Sequence, residues 1–430
     1  MLTLVGIIVF IVGIMASIAL HEVGHMVPAK KFGVKVTEYF IGFGPTVWSK
    51  RKGETDYGVK AIPLGGYVRM IGMFPPRPDG TMRKSSTGRL GMLVDQARNE
   101  SEAEVLTDAD RERTFYNLSV PKKLVVMFGG PVMNLILALI LFGIMFVGFG
   151  TPGPSLTVSS VSQCLPAAAA EDGSCPAGAP TSAAARAGVQ EQDQIVALGA
   201  TPVDSWDAFT AALTAQGAGA TTVTVVRDGR DVVLPVTLDM VERPVVVNGE
   251  VTDQTTMRPF LGVGPTFVLT PMSITAVPGE VWGLSVRSAQ ALVSFPAKLV
   301  GVAGAAFGDS QRDPNGPIGM VGAGRISGDI AGADLPGSWK IAQLIGLIAS
   351  INLFLFLFNL IPLLPLDGGH IAGALYEGGR RQVAKLRHKP DPGPVDVARA
   401  LPIAYAVSGL LIVVSLLLVY ADIVAPVKIT

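Results

Sequence analysis

Four long apolar stretches constrain this chain more than any other feature, because each is long enough to cross a bilayer. They run from Leu2 to about Val27, from Leu124 to Phe149, from Ile341 to Leu360 and from Leu401 to Val419. A spanning helix needs about 20 mostly apolar residues. Only 16% of the 430 residues are charged, against about 25% in an average soluble domain. We therefore expect an α-helical membrane protein with about four transmembrane helices.

The first apolar stretch is predicted to stay in the protein as a transmembrane helix. A secretory signal begins with positive charge and has an apolar run of about 7–15 residues. Residues 1–4 contain no Lys or Arg, and the run that follows is longer.

The distribution of positive charge predicts the orientation. Residues 27–123 contain 17 Lys and Arg and residues 371–400 contain six, whereas residues 151–340 contain ten in 190 positions. Lys and Arg concentrate in cytoplasmic loops. We expect a multi-pass plasma-membrane protein whose long middle segment lies outside the cytoplasm. Lys+Arg and Asp+Glu balance at 34 each, so no basic surface indicates a nucleic-acid partner.

The sequence His21-Glu22-Val23-Gly24-His25 lies at the end of the first stretch. Residues four apart share one face of a helix, so both histidines can bind one cation. This is the HExxH arrangement of two zinc ligands and a general base, here Glu22. Ionisable groups at membrane depth are costly and mark functional sites.

Asp367 is the predicted third ligand. A catalytic zinc site needs three protein ligands and one open position, and the third apolar stretch brings Asp367 to the cytoplasmic level predicted for both histidines. Pro362 and Pro365 should break that helix, and a break at membrane depth indicates a protein-lined or water-filled cavity. His370 is not assigned as a ligand, because a fourth protein ligand would close the site.

Asn134 places a polar amide inside the second stretch, in Gly129-Gly130-Pro131-Val132-Met133-Asn134. Such a side chain bonds to a neighbouring helix or orients a site, and both possibilities stay open.

The connecting segments differ in character. Alternating apolar and polar residues, with interspersed glycines, predict short strands over Thr37–Met70. The prolines, scattered charges and few large apolar groups of residues 75–116 predict a mobile cytoplasmic loop with one short helix.

In the middle segment we expect strands at Thr157–Val161 and Thr221–Val226, and helices at Ala183–Ala187 and Ser205–Leu213. The charged side chains of Arg287 and Lys298 favour an interfacial helix over a fifth span for Val281–Phe307.

The sequence leaves two possibilities open for Cys164 and Cys175: they form a disulfide, or they are two free thiols.

The three membrane motifs, HEVGH, GGPVMN and NLIPLLPLDGG, resemble the bacterial branch of the site-2 protease family of intramembrane metalloproteases. The segment Ile62–Met70 is similar to the membrane-associated β-loop of that branch. The resemblance implies Zn²⁺ bound by His21, His25 and Asp367, with Glu22 as the base and Asn359 holding substrate or stabilising the oxyanion. It also implies substrate contacts at Gly65, Gly66 and Asn134.

The middle segment resembles a PDZ domain, through Ser182–Val189 and Asp193–Leu198. PDZ domains bind extended chain ends by strand addition. The sequence Glu191-Gln192 stands where a Pro-Gly turn is usual in such domains.

The expected organisation of the whole chain is transmembrane helix 1 at 1–27, cytoplasmic β-loop and mobile loop at 28–123, helix 2 at 124–150, PDZ-like domain at 155–240, β extension and interfacial helix at 241–338, helix 3 at 339–367, cytoplasmic loop at 368–400 and helix 4 at 401–420.

These features together predict an intramembrane zinc endopeptidase. The resemblance implies that its substrates are single-span membrane proteins already trimmed outside the cytoplasm, such as anti-sigma factors, or remnant signal peptides. The lipid bilayer is the other expected partner, and the sequence does not define an oligomeric state. The alternatives are a zinc transporter or sensor, in which Glu22 has no evident task, and an inactive PDZ membrane scaffold, for which a complete ligand set has no purpose.

Overall fold

The computed structural model describes residues 1–75, 107–166, 174–247, 250–308 and 310–427, and it divides them into two compact units. The helical unit consists of Met1–Phe149 and Met272–Thr430, and the β-rich unit is Gly150–Pro271. Most of the loop predicted at 75–116 lies outside the described residues.

The helical unit begins with α1 (Leu2–Lys31), which continues four residues beyond the predicted span. Two strands follow, β1 (Val36–Lys52) and β2 (Thr55–Met70), and they pair antiparallel. They confirm the strands predicted over Thr37–Met70. After the short helix α2 (Asp108–Glu112), α3 runs over Val120–Gly143 and continues as a π-helix to Phe149.

The β-rich unit contains a seven-stranded antiparallel sheet with two short helices. In chain order its elements are β3 (Thr151–Val161), α4 (Ala183–Ala187), β4 (Gln194–Leu198), β5 (Thr201–Pro202), α5 (Trp206–Gln216), β6 (Gly219–Arg227), β7 (Arg230–Val247), β8 (Glu250–Phe260) and β9 (Val263–Thr270). The strand order is β8-β7-β6-β4-β3-β9, and β5 pairs with β4. The strands and helices predicted in this segment are confirmed, and Cys164 and Cys175 form a disulfide.

The helical unit resumes with four longer helices and one of 13 residues. They are α6 (Val277–Phe307), α7 (Met320–Gly332), α8 (Gly337–Asn359), α9 (Asp367–Leu386) and α10 (Leu401–Val424). The predicted break near Pro362–Pro365 is confirmed, because α8 ends at Asn359 and α9 begins at Asp367. Residues 368–400 were predicted to be a loop, but most of this segment belongs to the helix α9, Asp367–Leu386.

Among the described residues, five helices are long and apolar enough to cross a membrane: α1, α3 with its π-helical end, α6, α8 and α10. Four of these were predicted as spans, and α6 was predicted to lie at the interface. Helix α6 is the least apolar of the five, with a mean hydropathy of 1.3 in its best window against 2.3 or more in the others. The interfacial position of α6 stays a prediction.

Close backbone contact between α1 and α3 positions the candidate site. A Cβ atom on Gly24 would lie 2.2 Å from the carbonyl oxygen of Gly129, and one on Gly129 would lie 2.0 Å from that of Gly24. Only glycine at both positions permits this crossing, as is usual for tightly packed membrane helices. The crossing lies beside both histidines, on the turn of α1 that carries His25.

Candidate metal centre

Three side chains converge where α1 meets the start of α9. The Nε2 atoms of His21 and His25 are 3.2 Å apart, and each is 3.3 Å from Oδ2 of Asp367. The three side chains are 7–20% exposed. Helix α1 supplies two of them through the four-residue spacing, and the break before α9 turns Asp367 toward them.

Backbone geometry fixes the tautomer of His25. Its Nδ1 atom lies 2.8 Å from the carbonyl oxygen of Val126 in α3. A carbonyl oxygen only accepts, so Nδ1 carries the hydrogen and the Nε2 lone pair of the neutral ring points at His21 and Asp367. Such an outer hydrogen bond is the usual support of a metal-binding histidine.

The donor set fits a zinc ion. Within the described part of the chain, Oδ2 of Asp367 accepts no hydrogen bond, and in the ligand tautomers its two neighbours are lone pairs rather than N–H groups. In those tautomers, three acceptors that face one another within 3.3 Å suit a cation between them. Ligands at the corners of a tetrahedron about 2.0–2.1 Å from zinc are themselves about 3.3–3.4 Å apart, which matches these separations.

Glu22 is next to the three ligand atoms but belongs to another face of α1. It is half-buried, and the backbone N–H of Val68 in β2 interacts with its carboxylate. A Cβ atom on Gly66 would lie 3.1 Å from Cγ of Glu22, so β2 passes directly over this side chain. Gly65 has φ +94° and lies against the ring of Phe43.

The two asparagines predicted for the site differ in their surroundings. The amide Nδ2 of Asn134 lies 3.1 Å from Nδ1 of His21, so α3 supports both histidines. Asn359 is the last residue of α8 and is partly buried, and among the described residues its side chain has no hydrogen bond or ion pair. Asn134 therefore joins the group around the histidines, whereas Asn359 is outside its hydrogen-bond network.

Sequence reasoning missed Gly130. A Cβ atom there would lie 2.2 Å from Nε2 of His25 and 2.7 Å from Nε2 of His21. The absence of a side chain at this position leaves open the space in which the two ligand atoms meet. The glycine pair inside an otherwise apolar span was the available signal.

A membrane-helical fold with an HExxH helix, an opposed aspartate and a glutamate beside them defines a membrane metalloprotease. The sequence profile of Peptidase family M50 matches residues 9–390. The chain is 36% identical over 439 residues to zinc metalloprotease Rip1 of Mycobacterium tuberculosis, covering 100% of this chain and 99% of that protein. It is 34% identical over 441 residues to zinc metalloprotease Rip1 of Mycolicibacterium smegmatis, covering 99% and 98%.

The chain therefore belongs to Peptidase family M50, the site-2 protease family, and is a zinc metalloprotease.

Proposed function

We propose that this protein cuts single-span membrane proteins within the membrane, in regulated intramembrane proteolysis that follows a first cut outside the cytoplasm. Anti-sigma factors and remnant signal peptides are the proposed substrate classes. The observation that carries the proposal is that three candidate metal-ligand atoms meet where the start of α9 approaches α1, a helix apolar enough to span a bilayer.

His21, His25 and Asp367 are the proposed ligands. When bound, zinc supplies Lewis acidity that makes water a nucleophile near neutral pH and polarises the peptide carbonyl. Glu22 accepts the proton of the attacking water and returns it to the leaving amine. The adjacent strand β2 and its Gly66 keep the Glu22 carboxylate in place and leave no side chain above it.

Asn134 is proposed to orient His21. With Nε2 of His21 as a ligand, Nδ1 carries the hydrogen, and the rotamer of Asn134 that presents Oδ1 as acceptor is selected. Rotating the amide by half a turn exchanges its oxygen and nitrogen. The N–H₂ group then takes the present position of Oδ1, which has no hydrogen-bond partner within the described structure. Substrate contact is proposed for that amide, for Gly65 and Gly66 in β2, and for Asn359.

The proposed topology has the site near the cytoplasmic side and the β-rich unit outside, as a PDZ-like domain. Gln192 supports the PDZ assignment, because its φ of +72° gives the turn before β4 the conformation that glycine usually provides.

We also propose an interfacial position for α6. In support, its first turns share a core with Phe142 and Phe146 at the end of α3, and its last turns share one with Leu418 and Ala421 near the end of α10. In the proposed topology the C-terminal ends of α3 and α10, which contact the two ends of α6, both lie on the outer side of the membrane.

Glu22→Ala tests the catalytic assignment. Purified Glu22→Ala should keep its zinc, because Glu22 is not a ligand, and should cleave a model single-span substrate at below about 1% of the normal rate, since general-base catalysis contributes about 10²–10⁴-fold. Zinc content by atomic absorption and cleavage by gel electrophoresis are the measurements. Asp367→Ala should lose both zinc and activity, and the exposed Glu112→Ala should lose neither. Cleavage by Glu22→Ala near the normal rate would contradict the role of Glu22 as base.

Cysteine labelling tests the topology. The two native cysteines are joined in a disulfide, so single new thiols report alone. In intact cells Ala215→Cys in α5 should react with an impermeant maleimide, and Glu112→Cys in α2 should react only after the membrane is opened. The opposite pattern would place the proposed site near the outer side.

A further inference from the structure

A buried carboxylate on α9 gathers three hydrogen bonds and a second ion pair. Glu377 accepts hydrogen bonds from Nζ of Lys123 at both of its oxygens, at 2.9 and 2.8 Å, and from the backbone N–H of Val395 at 3.2 Å. Nη2 of Arg381 forms an ion pair with it at 3.0 Å. The side chains of Lys123 and Glu377 are 5% and 3% exposed. We name these groups the Glu377 cluster.

The Glu377 cluster joins α9, which carries Asp367, to α3, which supports His25. Lys123 lies on α3, one turn before Val126, whose carbonyl oxygen holds His25. Glu377 lies on α9, which begins at Asp367. The chain before α9, residues 360–366, contains no regular helix or strand.

Apolar contacts also join α3 and α9. Ile371 shares a core cluster with Val126 and Met127, and Gly378 lies against Val120. Apolar contacts are non-directional and allow one helix to shift along another. A buried ion pair allows no such shift, because a displaced partner leaves an uncompensated charge, and fixing register is the best-attested use of such groups.

We propose that the Lys123–Glu377 ion pair sets the register of α9 on α3 and thereby holds the Asp367 carboxylate at the two histidines. Lys123 and Glu377 are positioning residues, since neither is among the groups that meet at the metal centre. The inference rests on the proposed assignment of Asp367 as a zinc ligand.

The test compares two buried ion pairs of the helical unit. Lys123→Met combined with Glu377→Met removes the pair described here. Arg312→Met combined with Asp422→Met removes a second pair, 4% and 1% exposed, which joins the segment before α7 to α10. The zinc dissociation constant of the detergent-purified apoprotein is measured by competition with a chelating dye, and thermal unfolding is measured without zinc.

The first double variant should bind zinc at least tenfold more weakly and lose kcat with KM within about twofold, while the second keeps zinc affinity within about twofold. Equal weakening in both variants, or unchanged zinc affinity in the first, would overturn the proposal. If the first variant does not fold, Glu377→Asp, which withdraws the carboxylate by one methylene, is assessed in the same way. Asp367→Ala separates the ligand assignment of Asp367 from the positioning role of the Lys123–Glu377 pair. If Asp367→Ala binds zinc as well as the parent protein, the ligand assignment is refuted. If Asp367→Ala loses zinc but the first double variant binds it normally, only the positioning role is refuted.

Discussion

At the residue scale, Gly130 leaves almost no room for a side chain at the candidate site. In Gly130→Ala the new Cβ atom would lie 2.2 Å from Nε2 of His25, closer than any stable contact and directly on the proposed ligand atom. We expect zinc affinity to fall at least tenfold and proteolysis to fall with it. Zinc titration and a cleavage assay measure both effects.

Gly143 provides the control for this prediction. It lies at the end of the same helix, α3, and a Cβ atom there would meet nothing within 4 Å. Gly143→Ala should keep zinc and activity, because alanine is favoured over glycine in a helix by about 0.8–1.0 kcal/mol. Full zinc binding by Gly130→Ala would show that the two histidines meet elsewhere.

At the residue scale the sequence was sufficient for groups with a chemical signature. The four-residue spacing of His21 and His25 predicts a shared face, and the structure brings Asp367 to both rings. Gly130 and the carbonyl oxygen of Val126 could not be predicted in the same way. Their importance comes from the distance between two helix backbones, which no local pattern specifies.

At the element scale, breaks and strands were predictable and two helices were not. Prolines end α8 because they lack an N–H group and clash with the preceding turn. Helices α7 and α9 begin in glycine-containing segments with weak intrinsic helix preference, and packing supports them instead. Ser327 of α7 donates to the carbonyl oxygen of Gly6, and Glu377 of α9 bonds to Lys123.

The turn before β4 provides a pH-dependent prediction. Asp193 is buried and accepts from Nε and Nη2 of Arg227 and from the backbone N–H of Gln190. The Arg227 guanidinium holds the pKa of this carboxyl below its ordinary value. A lowered folded-state pKa stabilises the fold fully above the unfolded value, about 3.9, and this stabilisation is lost as pH falls through the folded value.

We therefore expect β4 and β6 to lose protection from hydrogen exchange as the pH falls from 5 to 2.5. Exchange is measured by mass spectrometry at each pH and is corrected for the pH dependence of the intrinsic exchange rate. Asp193→Asn should exchange faster at pH 5 and lose much of this pH dependence. The exposed Asp231→Asn, in the same unit, should behave as the parent protein does. An unchanged pH profile in Asp193→Asn would exclude the ion pair as its cause.

At the scale of the whole molecule, each of the four most apolar stretches forms a long helix, as predicted. Helix α6 shows that the number of membrane spans cannot be read from apolar length alone. Its length and composition suit a span, yet Arg287 and Lys298 favour the interface. Composition alone does not decide between the two, because the position of α6 depends on what its ends contact. The division into two units likewise follows from long-range strand pairing, such as that of β3 with β9.

Deleting the β-rich unit tests what it contributes. We expect a filter: replacing residues 150–271 by a short Gly-Ser linker should let the protein cut untrimmed substrates and cut trimmed ones about as before. The measurement is cleavage of paired substrates with and without a bulky outer domain, with zinc content as the control for folding. Slower cleavage of trimmed substrate with no cleavage of the untrimmed form would indicate recruitment instead.

The hydrogen bond from the N–H of Met272 to the carbonyl oxygen of Phe146, at 2.9 Å, has a consequence for the history of such chains. The points at which the helical unit is interrupted and resumed are neighbours, so the inserted sequence can change in length without altering the distance that the bundle must bridge. Lineages could therefore exchange, duplicate or lose the inserted module while the bundle stays intact. Chimeras joined at these two residues should accept folded modules from unrelated proteins whose own termini lie close together.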